Sequence, residues 1–227
     1  MAGPAFPADA MERERASLLA AARESERHPL RRAFLEARRR LFRGTPYAEP
    51  LGGTVASLAA LQPDDPAAGH RAAVCGHNGV FGVFGDFDPE AAAGWFAESF
   101  AVLPAGQDVF AGAGWRMPDD APAAVDIALD KEQAVLVVAY PTLGLYDPDD
   151  TALDLLDEAC GDMASRFFLR IRERQGLAYY VAPFQTKGWR AGAFGFYLGT
   201  SADKLVHAEA EVRDEIVPPF DRETVDP

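Results

Sequence analysis

The sequence predicts an α+β fold: two modules of mostly antiparallel sheet covered by helices, the first of them incomplete. Three observations lead there. Residues 133–141 (QAVLVVAYP) are nearly continuously apolar, as a strand buried on both faces requires. Residues 177–185 and 191–200 are aromatic-rich runs flanking Thr186-Lys187-Gly188-Trp189-Arg190, a spacing that predicts a hairpin. Residues 104–124 (PAGQDVFAGAGWRMPDDAPAA) hold three glycines and three prolines without periodicity, which marks a linker. The modules are therefore 1–103, mainly helical, and 125–217, with a tail over 218–227.

The elements follow in chain order. Residues 9–27 read as a helix with Leu18, Leu19 and Ala22 on an apolar stripe, ended by His28-Pro29. A second helix over 30–42 carries Phe34, Leu35, Arg38, Leu41 and Phe42 at helical spacing. Residues 43–53, with three glycines and two prolines, are loop. Thr54 is placed to cap a short helix over 55–61, and another runs from Asp64 to Ala73. Val80–Phe84 is a short apolar strand, and Asp88 caps a helix over 89–103 with Trp95, Phe96, Phe100 and Leu103 on one face.

The second module adds strands at 125–129 and 133–141, then helices over 150–160, capped by Asp147 or Asp149, and 163–174. Gly176 supplies the left-handed residue that commonly stops a helix, and Leu177–Val181 opens the next strand. Ser201 caps a last helix over 202–216, ended by Pro218-Pro219. The order β-β-α-α-β-β-α predicts a sheet with helices on one face. One clear strand cannot close a sheet in the first module, so its apolar stripe (Leu18, Leu19, Phe34, Phe42) is expected to seek a partner.

Composition narrows the function classes. The net charge of −13 argues against nucleic acid as a principal partner. Residues 12–43 nonetheless carry ten arginines and five glutamates, a local +5 against −18 elsewhere. Pairs such as Glu36–Arg40 at i,i+4 make this a solvated helical face. No run approaches 18 apolar residues, which excludes a transmembrane helix, and residues 1–15 lack the basic start and apolar core of a signal peptide. Cys75 and Cys160 form no framework. His70, Cys75 and His77 lie close in sequence but have no evident fourth metal ligand, and His207 with Glu211 reads as a solvated i,i+4 pair.

Chemistry concentrates in Arg172-Glu173-Arg174-Gln175-Gly176-Leu177-Ala178-Tyr179. Arg172 falls in a last helical turn and Tyr179 two residues into a strand, so two long donor-bearing side chains could converge on one acceptor such as a carbonyl. The octet resembles the LRE-x-x-GLAY segment of the insulinase/pitrilysin zinc metallopeptidases, whose metal motif is H-x-x-E-H. Further fragments keep that family's order: Phe42-Arg43-Gly44-Thr45-Pro46-Tyr47, Leu51-Gly52-Gly53-Thr54, Phe84-Gly85-Asp86-Phe87-Asp88-Pro89-Glu90, Asp130-Lys131-Glu132-Gln133-Ala134 and Gly161-Asp162-Met163-Ala164-Ser165-Arg166-Phe167. Relative to the family, the chain looks truncated at both ends.

The departures are equally specific. No pair of the four histidines, His28, His70, His77 and His207, has H-x-x-E-H spacing. With Glu14 matched to the family's earlier glutamate, the third ligand position falls on Ala21, which cannot bind zinc. The resemblance therefore implies a non-catalytic half, with no catalytic residue and no metal or other cofactor of its own. It implies peptide substrate, and a zinc-bearing half in the same polypeptide or a separate chain. Arg172 and Tyr179 would bind the substrate, with Gly192, Ala193 and Phe194 on the facing strand lining the chamber. A catalytically dead scaffold of the same family is the alternative.

Overall fold

The computed structural model describes residues 3–107 and 124–216. These fall into two compact units, one built from residues within 1–20 and 54–114, the other from 21–53 and 115–227. The helices are α1 (Ala8–Arg27), α2 (Pro29–Leu41), α3 (Val55–Ala60), α4 (Asp65–Ala73), α5 (Pro89–Phe100), α6 (Asp150–Gly161), α7 (Arg166–Phe168, continuing as a π-helix over Leu169–Arg174) and α8 (Leu205–Ile216). The strands are β1 (Gln133–Thr142), β2 (Tyr180–Thr186) and β3 (Gly192–Ser201).

The strands form one antiparallel sheet in the order β1-β3-β2, with Tyr140 opposite Phe194 and Tyr180 opposite Gly199. β3 is bonded along both edges, and its alternating side chains meet different neighbours on the two faces. Phe194, Phe196 and Leu198 join Phe167 and Ile171 of the α7 segment and Ala208 and Val212 of α8 in the main core. On the opposite face Tyr197 and Phe184 meet Phe34 of α2, with ring centroids 5.4 and 4.8 Å away. Phe42 closes that face over Ala191 and Ala193. Each large apolar side chain buried this way contributes about 1.5–3 kcal/mol.

Two glycines make room on the α2 face. Tyr180 lies opposite Gly199 and Phe184 opposite Gly195, so each ring covers backbone that has no side chain. A Cβ at Gly195 would strike the Val138 carbonyl oxygen and come within 2.9 Å of both Ala139 Cα and Phe184 Cε1.

Local signals placed several helix starts correctly. Thr54 forms a reciprocal capping box with Ser57, and the Asp88 carboxylate accepts the Glu90 and Ala91 amides. His28 sits between α1 and α2 as the N-cap of the latter. The 163–174 helix begins late, because Ser165 is extended (ψ 147°) and caps the Phe168 amide.

Three expectations are corrected. Residues 80–84 and 125–129 are not strands: a strand requires a ladder, and Val80–Phe87 make no backbone hydrogen bond among the described residues. The sheet is covered on both faces rather than one, since α2 lies on the second. The boundary also differs: α2 and the loop after it belong with the sheet, where Tyr47 Oη accepts the Trp189 amide at 2.8 Å and Arg38 Nε donates to the Tyr47 carbonyl at 2.6 Å. Most of the expected linker, and the 218–227 tail with Pro218-Pro219, lie outside the described residues.

Gly195→Ala should destabilise the chain by about 1–3 kcal/mol or more, as overpacking does. Gly94→Ala, in a helix with open space around the glycine, should be neutral or stabilising by up to about 1 kcal/mol. Chemical denaturation of the two variants separates these outcomes. Val80 and Phe84 are 96% and 97% exposed, so the isolated chain should self-associate through this segment. Sedimentation velocity should show weaker association for Val80→Ser/Phe84→Ser than for the parent.

Candidate functional site

The Arg172–Tyr179 segment is built around a helix end. Leu169–Arg174 winds as a π-helix, wider than an α-turn and frequent at functional sites. It closes through Gly176 N to Arg172 O at 3.1 Å and Leu177 N to Ile171 O at 3.0 Å. Gly176 takes φ +58°, the left-handed conformation expected of it. Leu177 and Ala178 then turn inward while Tyr179 remains exposed. Tyr179 stands just ahead of β2 rather than two residues into it, and its amide already donates to Gly199 O at 2.8 Å.

Arg172 and Tyr179 both face outward, with exposures of 43% for the arginine side chain and 63% for the tyrosine. The Arg172 guanidinium lies 4.9 Å above the Phe168 ring, a cation–π contact that leaves its N–H edge open. Its nearest carboxylate, Glu173, is 3.9 Å away, beyond hydrogen-bonding range. The two side chains flank one closed turn and present donors of the type that grip a peptide carbonyl.

Gly192, Ala193 and Phe194 lie apart from this turn. The register places Gly199 beside Tyr180, and Gly192 lies seven residues further along β3, roughly 23 Å at 3.3 Å per residue. Ala193 is buried beneath Phe42, and Phe194 lies in the main core. The side chains of Ala193 and Phe194 are thus taken up by packing on the two faces of the sheet, and Gly192 offers backbone alone.

A charged network behind the segment escaped the sequence reading. Arg170 donates from Nε to Glu211 Oε2 at 2.9 Å and from Nη1 to Glu215 Oε2 at 2.7 Å. Gln175 Nε2 donates to the same Glu211 oxygen at 2.7 Å, and Arg166 pairs with Glu215 at 3.1 Å. The Gln175 hydrogen bond, aided by the Arg170 charge and opposed by burial, holds the Glu211 carboxyl below the ordinary glutamate value. Glu215 holds the Arg170 guanidinium above its own. The signal was present: Ala208, Val212 and Glu215 share the buried stripe of α8, and a glutamate at such a position needs a cation.

The peptidase M16 inactive-domain profile matches residues 70–217. The chain belongs to that family. An uncharacterized zinc protease of Streptomyces coelicolor is 32% identical over 114 residues, covering 50% of this chain and 25% of the relative. An uncharacterized zinc protease of Rickettsia bellii is 43% identical over 56 residues, 25% of this chain and 14% of that protein. The chain thus spans a quarter or less of the length of these curated relatives. Among solved structures, a peptidase M16 inactive domain from Pseudomonas fluorescens superposes with TM-score 0.79 at 28% identity, covering 94% of this chain and 52% of that one. A protease from Helicobacter pylori (TM-score 0.70, 14% identity, 91% of this chain and 52% of that one) shares the fold. So does a chain of complex III from Candida albicans (TM-score 0.62, 18% identity, 89% and 55%). The insulinase/pitrilysin resemblance and the α+β fold hold.

The names of the curated relatives imply zinc, and the described residues offer no cluster that fits it. His28 Nδ1 faces the Arg31 amide at 3.5 Å, and His70 stands edge-on to the Phe6 ring. His77 Nδ1 lies 2.8 Å from Ala105 O, and His207 lies 3.7 Å from Glu211. Among the described residues, no three His, Cys, Asp or Glu side chains gather where they could hold one ion. Nor is any helix there long and apolar enough to cross a membrane.

The isolated chain purified without chelator should therefore carry far less than one zinc per molecule. Elemental analysis checks this, and stoichiometric zinc would reveal a site that these side chains do not form.

Proposed function

We propose that this chain is the non-catalytic, substrate-binding half of an insulinase/pitrilysin-like zinc metallopeptidase. It positions peptide for cleavage by a zinc-bearing half, in the same polypeptide or in a separate chain. The observation that carries this reading is the pair of exposed side chains, Arg172 and Tyr179, flanking one closed turn. Polarisation of the scissile carbonyl and activation of water belong to the zinc of the other half. The residues of this chain bind and orient. The Arg172 guanidinium offers a planar fork of donors to the substrate backbone, and the Tyr179 hydroxyl offers one more toward the carbonyl oxygen as charge develops there.

A catalytically dead scaffold is the competing reading, and it has no use for both donors. The two readings separate in the assembled peptidase. Arg172→Lys keeps the charge but loses the fork, and Tyr179→Phe keeps the ring but loses the hydroxyl. Each should lower kcat by about 10²–10³-fold, the range for losing one oxyanion donor, with zinc content and folding unchanged. Full activity in both variants would leave the pair structural and favour the scaffold.

A further inference from the structure

We propose that Glu211 of α8 is a positioning residue that holds the Arg172–Tyr179 turn in its working geometry, acting through Arg170 and Gln175. Its functional consequence rests on the substrate-binding reading given above. A π-helical turn is wider and less favourable than an α-turn, so its persistence calls for support from outside the helix. That support comes largely from one atom. Glu211 Oε2 accepts from Arg170 Nε at 2.9 Å and from Gln175 Nε2 at 2.7 Å. Arg170 and Gln175 stand on either side of Arg172 in the sequence, so one carboxylate oxygen ties both ends of the turn that carries it. Arg170 Nη2 adds a second contact to Glu211 at 2.8 Å.

The neighbouring contacts fix what Glu211 does not. Glu215, 5% exposed, binds Arg166 and Arg170 and so anchors α8 to the start of α7. Beyond the turn, Thr200 Oγ1 donates to Leu177 O at 2.6 Å, Lys204 Nζ donates to Gly176 O at 3.0 Å, and Tyr179 N donates to Gly199 O at 2.8 Å. Every one of these partners comes from residues 199–215. Among the described residues, Glu211 alone accepts hydrogen bonds from side chains on both sides of Arg172. Its side chain is 17% exposed, so little water is available to replace it. Among the described residues, loss of its charge leaves Arg170 with Glu215 as its one carboxylate and Gln175 with no charged acceptor.

The test uses the assembled peptidase, with Glu211→Gln as the first variant. Gln175→Ala is the second; it removes one arm at an exposed position and disturbs no core. Glu209→Gln, whose partner is Arg213 on the same helix, is the control. Hydrogen exchange should quicken about tenfold at the Gly176 and Leu177 amides in the first two variants, without change in β1–β3. Turnover should fall about 10–100-fold in kcat, with KM within about twofold, as a misplaced catalytic contact requires. The control should alter neither.

Unchanged exchange at Gly176 and Leu177 in both variants would overturn the proposal. So would faster exchange with undiminished kcat in a peptidase that Arg172→Lys impairs. Should Arg172→Lys and Tyr179→Phe themselves be silent, the substrate-binding reading falls, while faster exchange in Glu211→Gln still supports Glu211 as the residue that holds the turn.

Discussion

Everything in the sheet unit depends on the burial of β3 between two strands and two helical layers. Its neighbours β1 and β2 take up its backbone groups, so a strand without access to water leaves no polar cost unmet. Its faces are filled unequally. Phe194, Phe196 and Leu198 project into the main core, whereas Ala193, Gly195 and Gly199 keep the other face thin. That thin face is what allows Tyr180, Phe184 and Phe34 to lie close to the backbone. A helix from the first fifth of the chain is thereby drawn onto a sheet from the last half.

The same strand sets the candidate site. Gly199 and Thr200, at its end, take the Tyr179 amide and the Leu177 carbonyl, and the chain then runs directly into α8. Strand end and helix together supply the hydrogen bonds and carboxylates that hold the π-turn. Arg172 and Tyr179 are exposed on a support that is itself largely buried, the arrangement that precise positioning requires. The turn is therefore held from the core as well as by its own backbone bonds.

Shared architecture and chemistry rest on different features of the chain. The fold recurs in proteins as different as a protease and a chain of complex III, at identities that carry architecture alone. Function lies in the side chains grafted on that architecture. In the reading proposed above those are Arg172 and Tyr179, both exposed, in a chain whose histidines are dispersed among capping, packing and surface roles.

Helix starts and stops were legible in the sequence, because a cap is a contact between near neighbours: Thr54 with Ser57, Asp88 with Glu90, and Gly176 in its left-handed turn. β1 and the β2–β3 hairpin were legible for a similar reason, since composition and turn spacing are local. So was the turn between Arg172 and Tyr179, which Gly176 marks. The sequence could not decide which extended segments become strands. Val80–Phe84 and Val125–Leu129 have strand composition, but a ladder needs a partner that no local pattern supplies. Nor could it show that α2 covers the second face of the sheet, that Gly192–Phe194 lie far from Tyr179, or that Glu211 reaches Arg170 and Gln175 across 41 and 36 residues. Those relations are contacts between segments distant along the chain. Only the closing of the core around β3 brings them together.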